Sequence, residues 1–434
     1  YYPENPEAGI DLFLEKLVQE TEKEHEDILE QADETDAMFG ELYSWYLRNP
    51  EYRSRVQKLV QSAFAGKPED IISQSVAKAL YGEVSPYSAT RLERFAACAF
   101  AHFLQYGMKL TERVEYEFKP MDMGNVMHEA LESFAEEVRK RGMKWTELTE
   151  QERNEIADRC LDNIVADYGN TVLKSSARNE YMIERTRRIL RRTVWALQKQ
   201  LEQGEFQPEG FEVTFGGGRI DRVDIMEDQN KVYVKVIDYK TGNTSFDLVY
   251  LYHGLQLQLM IYLDGALRVE QKKYPDKEII PAGVFYYNIK DPMIQEKIDA
   301  DVEAVSAGLM KELKMNGLVQ ADPELVYRMD SSLGSIPVAF NKDGSFRKNS
   351  SVADRTQFAV LGRYVRTKIE KIRSSILEGD AEVSPYELGK KNACTYCPYM
   401  TVCGFDRRLS GYEFRRLKNF SDEELWKAFD REAE

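Results

Sequence analysis

Residues 218–224 (GRIDRVD) and 232–242 (VYVKVIDYKTG) carry the clearest structural signal in this sequence. Both stretches are rich in β-branched residues, and residues 227–230 (EDQN) between them provide a turn, so the sequence predicts a β-hairpin. The period of two along the second strand places three valines, Asp238 and Lys240 on one face. That face turns polar at its end, where a buried carboxylate and ammonium require a partner or a ligand.

The polar end of this hairpin suits metal-assisted hydrolysis of a phosphodiester. Pairing through the turn brings Asp221 of the first strand within reach of Asp238. Two carboxylates can hold a hard cation such as Mg²⁺, which polarises a phosphate and lowers the pKa of a water molecule. Lys240 would orient that water or neutralise charge on the phosphate oxygens. The structural alternative is a salt bridge at the strand end, because Asp-x-Lys alone is a common tripeptide.

Two helical segments carry further polar groups at regular spacing. In Gly124–His128 (GNVMH), the glycine permits close backbone approach and a neutral imidazole can complete a metal shell. In Gln258–Tyr262 (QLMIY), two polar side chains share one helical face amid apolar neighbours. Each segment also has a structural interpretation, namely a lone core histidine in the first and core packing with satisfied polar ends in the second.

Helical and strand patterns surround the hairpin and indicate the fold class. Helices are predicted within residues 1–80, at 90–104 and 124–139, onward to about 201, and at 255–267, 300–315 and 353–377, with a strand at 280–289. Strands that lie between helices indicate an α/β fold built around one sheet.

Charge is distributed unevenly along the 434 residues. The chain carries 59 Lys and Arg against 74 Asp and Glu, a net charge of −15. Residues 1–50 hold 14 of the acidic and 3 of the basic residues, so the remainder is close to neutral. The acidity therefore does not exclude a nucleic-acid partner. Arg185–Arg192 (RTRRILRR) is either a solvated basic face or a surface that tracks phosphates.

Three of the five cysteines form a C-x2-C-x5-C cluster, made of Cys394, Cys397 and Cys403. Thiolates this close in sequence point to a metal rather than a disulfide, and Cys98 is the candidate fourth ligand. From spacing alone, four cysteines fit structural zinc and a [4Fe–4S] cluster equally well, and His102 is a conceivable zinc ligand. Cys160 lies in a polar helical pattern and is expected to be a free thiol.

In this order, GNVMH, GRIDR, DYKTG and QLMIY resemble the motifs of the RecB-type branch of the PD-(D/E)xK nucleases. The resemblance implies a restriction-endonuclease-like fold, in which a mixed sheet is flanked by helices. It also implies a metal site formed by His128, Asp221, Asp238 and the Tyr239 carbonyl.

The same resemblance assigns roles to the remaining polar residues of these motifs. It implies that Lys240 is the catalytic lysine and that Gln258 and Tyr262 support the site or the substrate. The number of metal ions stays open, because three more carboxylates are plausible additional ligands: Glu132, Glu212 and Asp224.

The cysteine arrangement resembles the iron–sulfur site of AddB-type nuclease subunits of helicase–nuclease complexes. One cysteine precedes the nuclease motifs and three follow them, with YSATRLE before Cys98 and CPY before Cys403. Cys98-Ala-Phe departs from the more usual Cys-Pro-Phe, which changes a turn preference and no ligand. The resemblance implies a [4Fe–4S] cluster that ties both ends of the domain together, with structural Zn²⁺ as the alternative.

This resemblance also divides the chain. It covers about residues 85–410, which we expect to be a PD-(D/E)xK nuclease domain closed by the four cysteines. Residues 1–84 would be a helical, acidic segment continuing from an upstream helicase-like region, and residues 411–434 a C-terminal tail. The sequence begins YYP without Met or a targeting peptide, so we expect a piece of a longer, cytoplasmic protein. No apolar run is long and uncharged enough to span a membrane.

Together these features predict a Mg²⁺-dependent exonuclease that cuts single-stranded DNA ends. The resemblance places it in a helicase–nuclease complex that processes double-strand breaks for recombinational repair, with an AddA-type subunit as its heterodimer partner. The sequence contains no G-x4-G-K-[ST] phosphate loop, so ATP hydrolysis is expected of that partner. The alternative is a catalytically silent module of the same complex that binds DNA and docks the partner.

Overall fold

The computed structural model describes residues 34–63, 71–82, 88–111, 120–167, 177–216, 218–294, 301–409 and 411–433. The predicted boundary at residues 84–85 and most of the acidic N-terminal stretch lie outside these ranges. Within them the chain is a mixed α/β structure with one large sheet. No helix in these ranges combines the length and apolarity that a membrane crossing requires.

A six-stranded sheet forms the centre of the molecule. Its strands lie in chain order as β1 (Gln207–Phe215), β2 (Gly218–Asp228), β3 (Lys231–Lys240), β4 (Glu278–Asn288), β5 (Asn316–Gln320) and β6 (Val352–Ala353). The first three strands pair antiparallel, β3 and β4 pair parallel, β4 and β5 antiparallel, and β5 and β6 parallel. The predicted mixed sheet is therefore confirmed.

The predicted hairpin is formed by β2 and β3. Residues 229–230 make its two-residue turn, and the register pairs Val223 with Val236 and Asp224 with Lys235. Directly opposed residues share a face, so the valines point to one side of the sheet while Asp224 and Lys235 point to the other. The two faces of one hairpin thus enter two different environments.

Fifteen α-helices are present in the described ranges. In chain order they are α1 (Glu34–Arg48), α2 (Pro50–Ala63), α3 (Gln74–Tyr81), α4 (Ala89–Ala97), α5 (Ala99–His102), α6 (Pro120–Lys140), α7 (Glu150–Asp167), α8 (Ala177–Glu202), α9 (Leu248–Tyr252), α10 (Gln258–Lys273), α11 (Val302–Glu312), α12 (Pro323–Met329), α13 (Arg355–Glu378), α14 (Met400–Cys403) and α15 (Asp422–Ala433). A three-stranded sheet of β7 (Tyr386–Leu388), β8 (Lys391–Asn392) and β9 (Arg415–Arg416) lies near the C-terminus.

The helices cover both faces of the large sheet. Apolar side chains of α6, α7, α8 and α12 pack on one face. Those of α3, α4, α9, α10, α13 and α15 pack on the other, where the three valines of β3 are buried. Each strand of the hairpin therefore has apolar residues on both sides, which is the pattern of a central strand between two helical layers. The predicted flanking of the sheet by helices is confirmed.

The structure differs from the sequence prediction in details around the sheet. The helix predicted at 255–267 begins at Gln258, because the chain first makes the short helix α9 and a turn at Gly254, whose φ is +79°. The sequence pattern predicts neither β1 nor β5 as a strand. β1 is half-buried along its length and contains a β-bulge, so it lacks the regular alternation that marks a strand in sequence.

The arginines of the run on α8 form ion pairs with carboxylates of the same chain. Arg187 and Arg191 form ion pairs with Asp158 of α7, and Arg188 pairs with Asp291 after β4. These partners lie 29 or more residues away, so the sequence pattern alone did not show them. The run is an exposed helix face on which carboxylates of the same chain balance part of the positive charge.

Candidate active site

The hairpin ends in a pair of buried carboxylates. Asp238, near the end of β3, is 1% exposed, and Asp221 of β2 is 8% exposed. The backbone N–H of Tyr239 donates to Asp221 Oδ2 over 2.7 Å. Burial and the neighbouring Asp221 raise the pKa of Asp238 to about 7, while Lys240 and His128 act to lower it. The two carboxylates repel each other and favour a cation beside them.

Gln258 connects the strand end to helix α10. Its Oε1 accepts a hydrogen bond from Lys240 Nζ over 2.8 Å, and its Nε2 donates to Asp238 Oδ1 and to Tyr262 Oη, each over 2.9 Å. Lys240 Nζ also lies 2.6 Å from Asp238 Oδ2. The structure therefore brings these four predicted site residues together, with the Gln258 amide as their common hydrogen-bond partner.

His128 approaches the carboxylates from the opposite helical layer. It lies on α6, and its Nδ1 is 3.3 Å from Asp221 Oδ2 and 3.8 Å from Glu212 Oε1. Burial acts to lower the pKa of His128, but Asp221, Glu212 and Asp238 raise it to about 10. The imidazole is thus protonated when only these carboxylates surround it. A metal ion would take the place of that proton, because a ligating histidine must be neutral.

Glu212 of β1 reaches the same point through an uncommon backbone conformation. Its φ is +48°, in the left-handed region that residues other than glycine rarely occupy, and it follows a β-bulge in the strand. Its Oε2 lies 2.5 Å from Arg219 Nε. One ligand atom each of His128, Glu212 and Asp221 lies within 4.8 Å of the other two. Glu212, only an additional candidate from sequence, is therefore part of this cluster.

The donor set fits a hard divalent cation. Carboxylate oxygens surround one imidazole, which are ligands that Mg²⁺ and similar ions accept. Asp238 Oδ2 is buried and lies 2.6 Å from Lys240 Nζ, so the lysine balances part of the negative charge at this oxygen. Burial and the charge of Glu212 raise the pKa of Glu132, which places that side chain in the same acidic environment.

Asp224, the third additional candidate from sequence, does not join the site. It is 0% exposed on the opposite face of the hairpin. Arg222 Nε and Nη2 donate to its two oxygens over 2.5 and 2.9 Å, and Lys235 Nζ lies 2.9 Å from Oδ2. Burial acts to raise the pKa of Asp224, but Arg222 and Lys235 hold it below its usual value. Because it lies three positions after Asp221, an odd offset, the alternation of the strand turns it to the other face.

Four cysteines line one apolar cavity: Cys98, Cys394, Cys397 and Cys403. Cys98 ends helix α4, and the other three lie in or directly after the loop that follows β8. Burial and the three other thiols raise the pKa of Cys394 to about 11. The four thiols cannot all ionise together without positive charge among them, which is what a metal centre supplies. Cys160 lies apart, buried on α7.

His102, the conceivable zinc ligand, is engaged elsewhere. It is 0% exposed, and its Nε2 accepts a hydrogen bond from Arg91 Nε over 3.1 Å. Burial and the charge of Arg91 lower the pKa of His102 to about 3. The rings of Tyr81, Phe95 and Tyr106 surround it. Its position favours a structural role in the core.

Glu93 is the site residue that sequence reasoning did not assign, although it ends the YSATRLE segment. It accepts hydrogen bonds from the backbone N–H groups of Leu257 and Gln258. Burial raises the pKa of Glu93 to about 7, while these two N–H groups and Lys240 act to lower it. Its partners are backbone groups 164 and 165 residues away, so no pattern of side chains marks the contact in sequence.

Comparison with known proteins agrees with this geometry. Residues 86–404 match the family model described as the PD-(D/E)XK nuclease superfamily. The chain is also 41% identical, over 92% of its length, to the B-type subunit of the ATP-dependent helicase/deoxyribonuclease of Lachnoclostridium phytofermentans. It is 34% identical over 92% of its length to the proteins of the same name from Thermoanaerobacter sp. and Alkaliphilus metalliredigens.

The matched region is most of this chain but a smaller share of its relatives. The chain spans 36% of the Lachnoclostridium protein and 37% of the other two, so it corresponds to little more than a third of such a subunit. The family model, by contrast, covers most of the chain and includes the hairpin, the helix with His128, the helix with Gln258 and all four cysteines of the cavity. By its mixed sheet, its strand-end carboxylates and this match, the chain belongs to the PD-(D/E)XK nuclease superfamily.

Proposed function

We propose that this chain is a Mg²⁺-dependent deoxyribonuclease that hydrolyses phosphodiesters of single-stranded DNA. The observation that carries the proposal is the convergence of Asp221, Asp238 and His128 with Lys240 at one strand end, where the lysine is held by Gln258. A buried carboxylate with a raised pKa, here Asp238, beside an ordered ammonium is expected of a site that binds a cation and acts on a phosphate.

The chain's own residues divide the work between binding and orientation. Asp221, Asp238 and His128 would hold Mg²⁺, with the Tyr239 carbonyl and Glu212 as further ligands. When bound, Mg²⁺ supplies Lewis-acid polarisation of the phosphate and a more acidic water. Lys240, fixed by Gln258, donates hydrogen bonds where negative charge develops on the phosphate oxygens.

Tyr262 completes this arrangement without touching the cation ligands directly. Its hydroxyl accepts the second N–H of the Gln258 amide, so Gln258 cannot rotate without losing two bonds. The pKa of Tyr262 is raised chiefly by burial, which keeps the hydroxyl neutral. We infer that Tyr262 fixes the orientation of the amide, which in turn fixes the Lys240 ammonium.

The cellular setting is inferred from the relatives. The proteins that this chain resembles are named as the B-type subunit of an ATP-dependent helicase/deoxyribonuclease. We infer that the chain works in such an assembly, with an AddA-type helicase–nuclease subunit as heterodimer partner. It would cut single strands delivered during the processing of double-strand breaks for recombinational repair, in the cytoplasm.

The four cysteines would hold a [4Fe–4S] cluster in this proposal. The common cavity of the four cysteines and the resemblance of their sequence pattern to the iron–sulfur site of AddB-type subunits support a cluster, and structural Zn²⁺ is the competing occupant. Anaerobically prepared protein should contain about four iron atoms per chain and show a broad visible absorbance. A stoichiometric amount of zinc and no iron would instead show that the four cysteines form a zinc site.

Cleavage of an end-labelled single-stranded DNA tests the nuclease. The chain should cut with Mg²⁺ and not with EDTA, and Asp238→Ala should abolish cutting. Asp264→Ala is the matched control, since Asp264 lies on α10 but pairs with Arg268 and Arg366 outside the site. No cutting by iron-loaded wild-type protein would favour the catalytically silent docking module.

A further inference from the structure

The N-terminus of helix α10 is capped by a residue from another part of the chain. Leu257, at the N-cap position, makes no capping hydrogen bond through its own side chain. Glu93 Oε1 instead accepts the backbone N–H of Leu257 over 2.7 Å and that of Gln258 over 2.9 Å. The first N–H groups of a helix have no partner within it, and a carboxylate there also meets the positive end of the helix dipole.

The capped end of α10 carries the residue that contacts most of the other site residues. Gln258 is the first residue of α10, and its amide holds Lys240, Asp238 and Tyr262. A shift of the Gln258 backbone would therefore move the partner that orients the ammonium. Misplacement of a positioning group by about 1 Å can lower a rate about 100-fold.

Glu93 is itself held by a rigid element. It lies in the middle of α4, whose apolar residues Leu92 and Phe95 are buried against the same core as α10. Ser88 caps the start of α4 by accepting the N–H of Arg91. The carboxylate is therefore presented from a packed helix, which is the support that a precisely positioned site requires.

We propose that Glu93 is a positioning residue of the nuclease, which fixes Gln258, and through it Lys240, by accepting the two backbone N–H groups at the start of α10. This inference rests on the proposed nuclease function. The acceptor oxygen, rather than the charge of the carboxylate, is the feature that acts. An amide oxygen in the same place should therefore replace it.

Three variants of the full chain test the role. Glu93→Ala removes the acceptor and should lower kcat on single-stranded DNA about 100-fold, with KM changed less than about threefold, since only orientation is lost. Glu93→Gln keeps an oxygen at the same position and should retain kcat within about fivefold. Glu270→Ala is the control, because Glu270 is buried on the same helix but pairs with Lys273 at its far end. That control should lower the melting temperature and leave kcat unchanged.

The kinetic outcomes separate positioning from other roles. Wild-type kcat in Glu93→Ala would overturn the proposal. Equal losses in Glu93→Ala and Glu93→Gln would assign the effect to the charge and would also overturn it. A rise in KM with unchanged kcat would indicate a contact with DNA and contradict a positioning role.

Hydrogen exchange tests the contact without using activity. In Glu93→Ala, the amides of a peptide covering residues 255–263 should exchange at least about tenfold faster, since two N–H groups lose their partner. Glu93→Gln should protect them nearly as wild type does. Unchanged exchange in Glu93→Ala would overturn the role of Glu93 even if the wild-type protein cleaves. Inactive wild-type protein with the expected exchange pattern would instead place the failure in the proposed nuclease function.

Discussion

Asp238 and Asp224 are two buried carboxylates on one hairpin with opposite surroundings. Asp238 is 1% exposed and Asp224 is 0% exposed, so burial does not distinguish them. Asp224 has two cations within 3 Å, Arg222 and Lys235, and it accepts hydrogen bonds at both oxygens. Asp238 has the ammonium of Lys240 beside it and the charge of His128 nearby, and unlike Asp224 its pKa is raised by a neighbouring carboxylate, that of Asp221.

The difference shows in the direction of the two pKa shifts. Against burial, Arg222 and Lys235 hold the pKa of Asp224 below its usual value, whereas burial and Asp221 raise that of Asp238 to about 7. A buried carboxylate that is paired with cations of the protein has a structural role, while one that lies beside a second carboxylate can bind a metal cation. The like charge of Asp221 beside Asp238, rather than burial, separates the candidate functional face from the structural one.

The largest effect should come from removing the carboxylate of Asp238, which lies beside that of Asp221. Asp238→Asn should lower metal-dependent cleavage on the order of 10³-fold, because it removes a ligand and the partner of Lys240. Its free energy of unfolding in the absence of metal should change by less than about 1 kcal/mol, since a destabilising repulsion with Asp221 is removed. Single-turnover cleavage and urea unfolding measure the two effects. A large loss of stability would make Asp238 structural.

The matching change on the other face should act on stability instead. Asp224→Asn leaves Arg222 and Lys235 as buried cations without their carboxylate, which should cost about 3 kcal/mol of unfolding free energy. Folded protein should cleave at the wild-type rate, because Asp224 touches none of the site residues. Urea unfolding measures the change in unfolding free energy, and cleavage at urea concentrations below the unfolding transition measures the rate of the folded variant. A selective loss of kcat in fully folded protein would erase the distinction between the faces.

A smaller effect should follow from Glu212, which lies at the edge of the functional face. Glu212→Gln should raise the Mg²⁺ concentration for half-maximal cleavage about tenfold, because one negative oxygen near His128 and Asp221 is lost. Glu209→Gln is the control on the same strand, since Glu209 pairs with Lys273 away from the site. A Mg²⁺ dependence shared by both variants would exclude Glu212 as a specific ligand.

The smallest effect is the response of the structural face to acid. The pKa of Asp224 is lower in the folded chain than its ordinary value of 3.8. Its contribution to stability is therefore complete above pH 3.8 and is lost as the pH falls below that value, by up to about 1.4 kcal/mol per pH unit. The difference in unfolding free energy between wild type and Asp224→Asn should stay level down to about pH 4 and shrink as the pH falls from there to about 2.5. A constant difference would show that the ion cluster does not depend on the ionised carboxylate.

The parts of the fold that sequence predicted are those with local, periodic patterns. The β2–β3 hairpin is predicted because valines recur at every second position up to Asp238, with a turn before them. Helices α6 and α13 were predicted because their apolar residues recur at helical spacing. The bulged strand β1 and the two-residue strand β6 carry no such pattern, since their conformation depends on neighbouring strands.

The candidate site divides in the same way. Asp221, Asp238 and Lys240 were singled out because a polar end on an apolar strand face is unusual. The position of Glu212 depends on a bulge and a positive φ, which its neighbours in sequence do not specify. Glu93 contacts backbone groups on a distant helix, and the partners of Asp224 were visible only once the strand register was known. Contacts of these kinds are set by tertiary structure.

The four-cysteine cavity also has a consequence in time. Cys98 is made almost 300 residues before Cys394, and at about 5–20 residues per second a ribosome needs about 15–60 s to travel between them. During that interval Cys98, at the end of α4, has none of its three cysteine neighbours. Glu93, in the middle of α4, also lacks its backbone partners until residues 257 and 258 have been made. The carboxylates of the hairpin exist well before the cavity can close. During synthesis the proposed catalytic residues are therefore made before the four cysteines can come together in their cavity.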